Sequence, residues 1–327
     1  MRTVTFTQML RETLAAELRR DPDLFLMGED IAAYGGAFGV TRGLADEFGV
    51  GRVRDTPISE QALVGTAIGA AVAGSRPVVE IMFADFVTLA VDQLVNMAAK
   101  LNYIYGAACP LVVRLPTGGG RGYGATHSQT PERLFTGVPG LRLAAPADAI
   151  GASALLQTAL HDPNPVLFLE HKLLYPLRWE VPEGLPEPLP FGRASIARAG
   201  SDVTIVAWSY MLYQARRAAE LLAAEDISAE IVDLRTLAPL DMETVIASAV
   251  RTGRVLIVEE GPLTGGFAGE IASRIFEAAY DSLDAPIRRL ASADCPVPAA
   301  RELEAAALPD VGRIVAAARK LVGGGEE

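Results

Sequence analysis

Asp55-Thr56-Pro57-Ile58-Ser59-Glu60 runs straight into Gln61-Ala62-Leu63-Val64-Gly65-Thr66-Ala67-Ile68-Gly69-Ala70-Ala71-Val72-Ala73-Gly74. Pro57 biases Thr56 toward an extended backbone, Ser59 is a good N-cap, and Glu60 falls in the first helical turn, where the dipole favours a negative charge. By placement alone, Glu60 serves helix polarity. Gly65 and Gly69 add information, because each costs about 1 kcal/mol relative to Ala inside a helix and so asks for a packing reason. The row Gly65, Gly69, Ala73 is smooth enough for a second backbone to lie against it. A segment from Ala62 to Gly74 rises only about 20 Å against a hydrocarbon core of about 30 Å, so it reads as a buried or interface helix rather than a membrane span.

Outward from this helix, short apolar runs alternate with helical patterns. Leu24 to Met27, Pro77 to Ile81, Leu111 to Leu115, Leu141 to Ala144 and Val166 to Leu169 read as strands, and Glu60 to Gly74, Phe86 to Tyr105 and Ala147 to His161 as helices. The alternation predicts an α/β fold with a mainly parallel sheet. Tyr175 to Gly192 carries five prolines, Pro176, Pro182, Pro186, Pro188 and Pro190, which excludes a helix interior or a central strand and predicts an interdomain linker. The alternation then restarts through Val203 to Trp208, Leu212 to Ala224, Ala229 to Val232, Met242 to Val250, Val255 to Val258, Gly269 to Ala279 and Ile287 to Leu290. Two α/β domains are expected, at 1–175 and 193–327, joined by 176–192, with a frayed tail from Gly323 to Glu327. Phe6, Met9, Leu10, Leu14 and Leu18 form a helical apolar face, and Glu12 and Glu17 argue against a transit peptide there.

The 327 residues are 50% hydrophobic, ample for two cores, and carry a net charge of -11. That charge, with no Lys/Arg block to offset it, disfavours nucleic acid and anionic membrane as partners. Cys109 and Cys295 are the only cysteines, without metal-ligand spacing, which fits a reducing cytoplasm.

Thr117 to Gly124 is glycine-rich and follows a strand, yet its spacing gives neither the dinucleotide fingerprint nor a P-loop. A mobile loop is its ordinary reading. His127-Ser128-Gln129 follows at once, which puts a histidine on the side of the sheet where open α/β folds keep their ligands. His161 at a helix end and His171 just beyond a strand have ordinary surface readings. Asp92, Asn96 and Lys100 at i, i+4 spacing read as a solvated polar stripe. Asp162-Pro163-Asn164-Pro165 reads as a turn that could also hold a hard cation.

Gly28-Glu29-Asp30, Val53 through Glu60, Gly65 through Ala71, Arg76-Pro77, Phe83-Ala84-Asp85-Phe86, Asp92-Gln93, His127-Ser128-Gln129 and Pro139-Gly140-Leu141, with Asp202-Val203-Thr204-Ile205 and Asp233 through Leu237, together resemble one family. It is the beta subunit of the thiamine-diphosphate-dependent first component of 2-oxo acid dehydrogenase complexes. The resemblance implies a transketolase-type pyrimidine-binding domain followed by a smaller transketolase C-terminal-type domain. It gives Glu60 a role: its carboxyl hydrogen-bonds the aminopyrimidine ring nitrogen and promotes the tautomer that removes the thiazolium proton. Phe86 matches the aromatic residue that stacks on the pyrimidine, Met82 a neighbouring contact, and His127 a histidine near the reacting centre. Leu111, Ala159, Leu160, Asp162 and Asn164 match a potassium site carried by some relatives.

No Gly-Asp-Gly occurs in the chain, although that motif normally holds the diphosphate and magnesium of this cofactor. The resemblance therefore implies an alpha subunit that supplies the magnesium half, a heterotetramer of two alpha and two beta chains, and a lipoyl acyltransferase core as second partner. The chain departs from the family at Gly137, where relatives commonly have a second histidine, and at Ala299, where an aromatic is usual. The expected activity is oxidative decarboxylation of pyruvate or a branched-chain 2-oxo acid with acyl transfer to lipoyl groups. An acetoin dehydrogenase beta subunit and a catalytically idle partner-binding subunit remain as alternatives.

Overall fold

The computed structural model describes residues 1–323, so of the tail expected to fray from Gly323 to Glu327 all but Gly323, which caps the last helix, lies outside the described part. The chain divides into two units: Met1–Thr117 with Leu134–Phe191, and Gly118–Arg133 with Gly192–Glu327. The second unit thus takes an excursion of the chain that sequence reading had assigned wholly to the first domain.

Six strands of unit 1 form a parallel sheet in the order Arg142–Ala144, Val166–His171, Val112–Thr117, Arg76–Glu80, Leu24–Gly28, Val53–Asp55. The expected strands are all present, with ends moved by a residue or two: Ile81, Leu111 and Leu141 fall outside them, and others gain a residue or two. The four central strands are almost wholly buried, as a parallel sheet covered on both faces demands. Phe6–Arg20 opens with a full capping box, Thr5 accepting from the Gln8 N–H while the Gln8 side chain accepts from the Thr5 N–H. Ala149–His161 is capped by Asp148, whose Oδ1 accepts from Gly151 at 2.8 Å.

The helix expected over Phe86 to Tyr105 is not a single helix. A 3-10 stretch Ala84–Ala90 gives way to a π-helical stretch Gln93–Met97, a 3-10 turn Ala98–Lys100 and a short α-helix Leu101–Tyr105. The changing pitch breaks the expected polar stripe. Asn96 donates to Asp92 at 2.7 Å, whereas Lys100 turns to the Pro139 carbonyl at 3.1 Å. The proline-rich stretch is fastened to unit 1. Its proline-free Arg178–Val181 pairs antiparallel with Arg2–Thr5, and the Gln157 and Thr158 side chains hold the Pro186 and Leu189 carbonyls. The prolines flank this two-stranded ribbon rather than enter it, consistent with the missing N–H.

In unit 2 a five-stranded sheet runs Arg288–Ser292, Val255–Pro262, Val203–Ala207, Ala229–Asp233, Ser195–Arg198, parallel except for the last pair. Ser209–Ala223, Met242–Thr252, Ala268–Ala279 and Val311–Val322 are its longer helices, the last two with strongly one-sided apolar faces. Among the described residues no helix is long and apolar enough to cross a membrane.

Candidate cofactor site

Glu60 is the first residue of the helix Glu60–Val72. Ser59 occupies the N-cap position, yet its side chain makes no capping hydrogen bond, contrary to expectation; its carbonyl accepts the first helical bond, from Leu63 at 2.8 Å. The approach is fixed instead by Asp55, whose carboxylate accepts from the Ala32 and Ala33 N–H groups, and by the Thr56 N–H on the Gly28 carbonyl. Glu60 is only 6% exposed, and among the described residues its carboxylate has neither a hydrogen-bond donor nor an ion-pair partner. The Thr56 hydroxyl is likewise buried with no partner. The Thr56 hydroxyl is unusual, because an unpaired buried polar group costs about 1–3 kcal/mol and is normally satisfied.

Glu29, which sequence reading quoted but gave no role, lies within electrostatic reach of Glu60. Its carboxyl is pushed above the usual range first by burial and then by the negative charges of Glu60 and Asp30. A carboxyl raised in this way holds its proton more readily than an ordinary one. The helix packs on the strand Arg76–Glu80 and on the turns of Ala84–Ala90, which include Phe86, while Met82 lies in the link between those two elements. Met82 and Phe86 are both half-buried, and the Phe86 ring meets Phe83 edge-on at 6.3 Å. Gly65 has its packing reason: a Cβ there would stand 3.2 Å from the Gln93 side-chain oxygen. Gly69 has none within this chain, since a Cβ would meet nothing within 4 Å, and Gly69, Val72 and Ala73 are exposed.

Behind these elements lies a charge cluster that sequence reading missed. Arg114, 1% exposed, donates from Nε and NH2 to the two oxygens of Glu170 at 2.7 and 2.6 Å and from NH1 to Glu80, while Tyr175 donates to Glu170 at 2.7 Å. Its members lie 34 and 56 residues from Arg114 and become neighbours only through the parallel strand order. Burial holds the Glu80 carboxyl above its ordinary range against the pull of Arg114.

The residues that the resemblance assigns to a potassium site lie around the turn at Asp162 and the strand beginnings beside it. The Asp162 Oδ1 accepts from the backbone and side-chain N–H of Asn164, both at 2.8 Å, while Oδ2 pairs with Arg142 at 2.6 Å. The Leu111 carbonyl accepts from Val166, the Ala159 carbonyl from Asp162, and the Leu160 carbonyl from the Arg76 guanidinium. The donors are all oxygen, as a hard cation requires, but two of them already answer to fixed cations.

His127 belongs to unit 2, on the excursion Gly118–Arg133. It is half-buried, with Nδ1 3.0 Å from the Thr126 hydroxyl and its N–H on the Gly124 carbonyl. The glycine run ahead of it is anchored rather than loose. Gly119 donates its N–H to Glu260 at 2.6 Å, and Gly120 and Gly122 donate to the two oxygens of Glu304 at 2.8 Å each. Glu132 follows at 5% exposure, accepting from the Trp208 indole, and burial pushes its carboxyl up to about 7. Glu259 is also pushed up to about 7, by burial and then by Glu132, while it accepts the Phe267 and Ala268 N–H groups. His161 is half-exposed between Gln157 and Glu17, an ordinary role. His171 is a correction: it is 2% exposed, its Nδ1 accepting from Leu173, because its strand runs two residues further than its apolar run. At Gly137 a Cβ would meet nothing within 4 Å, so packing does not demand the missing side chain.

Comparison with known proteins accounts for both units. The transketolase pyrimidine-binding domain matches residues 2–178, and the transketolase C-terminal domain matches residues 192–314. A pyruvate dehydrogenase E1 component subunit beta from Rickettsia felis is 44% identical over 320 residues, covering 97% of this chain and 98% of that protein. Its counterpart from Rhizobium meliloti is 44% identical over 321 residues, 98% of this chain and 70% of the relative. The acetoin:2,6-dichlorophenolindophenol oxidoreductase subunit beta of Cupriavidus necator is 43% identical and covers 99% of both chains. A solved split-gene transketolase, described as an inactive beta4 tetramer, shares the fold with a TM-score of 0.78 at 24% identity, over 98% of this chain and 99% of that one. Sequence, units and fold agree: the chain belongs to the transketolase-type family of dehydrogenase E1 beta subunits that includes those of pyruvate dehydrogenase and of acetoin oxidoreductase.

Proposed function

We propose that this chain is the beta subunit of a thiamine-diphosphate-dependent 2-oxo acid dehydrogenase, an oxidoreductase that decarboxylates its substrate and passes the acyl group to lipoyl groups. The observation that carries the reading is the buried, partnerless Glu60 carboxylate at a helix start, with the orphaned Thr56 hydroxyl close by in sequence. These residues fit the pyrimidine of the cofactor: Glu60 would hold a proton against a ring nitrogen, and Phe86 with Met82 would supply the apolar contact. When bound, the cofactor would supply carbanion chemistry. The chain's own part is to orient it, exclude water and fix that proton, and a rigid carboxylate is suited to this. His127 is proposed to act on the acyl group during its transfer.

The missing half calls for a partner. With no Gly-Asp-Gly in the sequence, magnesium and diphosphate are assigned to an alpha subunit, in a heterotetramer of two chains of each kind, with the lipoyl acyltransferase core as a further partner. The apolar side chains that unit 1 leaves exposed support such packing: Ile58, Leu89, Tyr103, Ile104 and Tyr105 are 81, 57, 91, 56 and 73% exposed. At the Asp162 turn a structural potassium ion is proposed, tested by exchange into potassium-free buffer, which should lower the unfolding temperature of unit 1. Both cysteines are free, which suits the cytoplasm as compartment.

The acetoin reading is the second one, supported by 43% identity over the full length of both chains. Co-expression with the alpha chain and a panel of pyruvate, branched-chain 2-oxo acids and acetoin with an artificial electron acceptor decides between them. Glu60→Gln in the same assembly should abolish turnover while the assembly stays intact. An unchanged steady-state rate in that variant would remove the role given to Glu60.

A further inference from the structure

We propose that a cavity in unit 2, between the edge strand Arg288–Ser292 and the helix Val311–Val322, binds a phosphorylated small molecule of nucleotide size. The cavity measures about 530 Å³ and is lined by Arg288, Arg289, Arg313 and Lys320, with Leu256 and Leu290 among its apolar residues and no Asp or Glu in its wall. That wall runs against the chain as a whole, which has 40 acidic and 29 basic residues. Arg289 is within electrostatic reach of the buried Glu259, but no carboxylate enters the wall, so an anion placed there would relieve the mutual repulsion of the crowded cations.

The four side chains are available to an anion in different ways. Arg289 and Arg313 each give one N–H to a backbone carbonyl, Leu263 at 3.3 Å and Leu308 at 2.9 Å, which positions the guanidinium and leaves most of its five donors uncommitted. The side chains of Arg288 and Lys320 make no hydrogen bond or ion pair with any described residue. Planar guanidinium forks match phosphate oxygens two at a time, and a lysine adds a point charge. The apolar residues call for a ligand that also carries a hydrophobic body, and the volume lies in the range of about 300–1,000 Å³ typical of small-molecule sites. Neither Glu60, Met82, Phe86 nor His127 lines this cavity, so the proposal stands apart from the cofactor reading.

The test is titration calorimetry on the full chain at low ionic strength, with ATP, tripolyphosphate and adenosine as probes. ATP should bind saturably with one site per chain, tripolyphosphate more weakly, and adenosine not at all. The Arg288→Ser/Lys320→Ser variant, altered only at exposed side chains, should bind ATP at least ten-fold more weakly with an unchanged unfolding temperature. Raising the salt should weaken binding to the wild type more than to the variant. No saturable binding at about 1 mM ATP, an affinity unchanged in the double variant, or adenosine binding as tightly as ATP would each overturn the proposal.

Discussion

Arg114→Met provides the most demanding test of how unit 1 is held together. In the native chain one guanidinium at 1% exposure serves two carboxylates, Glu80 at 5% and Glu170 at 0%, with three charge-assisted bonds between them. Methionine fills much of the volume but leaves both acids without that partner, and breaking a buried pair in this way costs about 3–5 kcal/mol. At roughly 2–4 °C per kcal/mol for a unit of this size, the unfolding temperature should drop by roughly 6–20 °C. The loss also acquires a pH dependence of known sign. The Glu80 carboxyl is already raised above 4.5 by burial, with Arg114 pulling it down, so removing Arg114 raises it further. A carboxyl raised in the folded state makes that state bind more protons than the unfolded chain, so stability is present at low pH and lost as pH rises through the folded-state value. Thermal unfolding followed by circular dichroism from pH 5 to pH 8 should therefore show a deficit that grows with pH. A drop of under about 2 °C, or a deficit equal at both ends of the range, would refute the account of Arg114 as the shared counter-ion.

Three further outcomes are expected. His127→Ala in the assembly with an alpha subunit should slow acyl transfer to lipoyl groups by more than ten-fold while cofactor affinity changes little; a change confined to cofactor affinity would contradict the role proposed for it. Glu304→Ala removes the acceptor of two glycine amides, and with charge-assisted bonds contributing about 1.5–3 kcal/mol, hydrogen exchange at Gly120 and Gly122 should quicken by roughly 10- to 100-fold. Glu132 and Glu259, both raised to about 7, should make unit 2 lose stability between about pH 4.5 and 7 as pH rises. Glu132→Gln should about halve that slope, and a slope identical in wild type and variant would show that Glu132 is ionised throughout.

The alternation of buried strands and helices was legible because it is local. Runs such as Leu24–Gly28 and Val203–Ala207 are largely apolar segments, and tertiary structure moved their ends by only one residue. Arg2–Thr5, Val53–Asp55 and Ser195–Arg198 escaped notice because three or four half-exposed residues carry little periodicity. Phe86 to Tyr105 misled for the opposite reason: its composition suits a helix throughout, while the pitch changes along it depend on what each turn packs against. Glu60 was found through its motif. Its lack of a partner could be seen only in three dimensions. The Arg114 cluster and the carboxylates that grip the glycine run join residues 34 to 184 positions apart, and no spacing rule reaches that far.

The excursion Gly118–Arg133 also bears on how the chain is made. During synthesis the Gly120 amide emerges 184 residues ahead of Glu304, the acceptor that will bind it. At about 5–20 residues per second the ribosome leaves it waiting roughly 10–40 s. Unit 2 therefore cannot finish folding until Glu304 is translated, and a gene fragment beginning at Gly192 would encode Trp208 and Glu304 without the Glu132 carboxylate and glycine amides they hold.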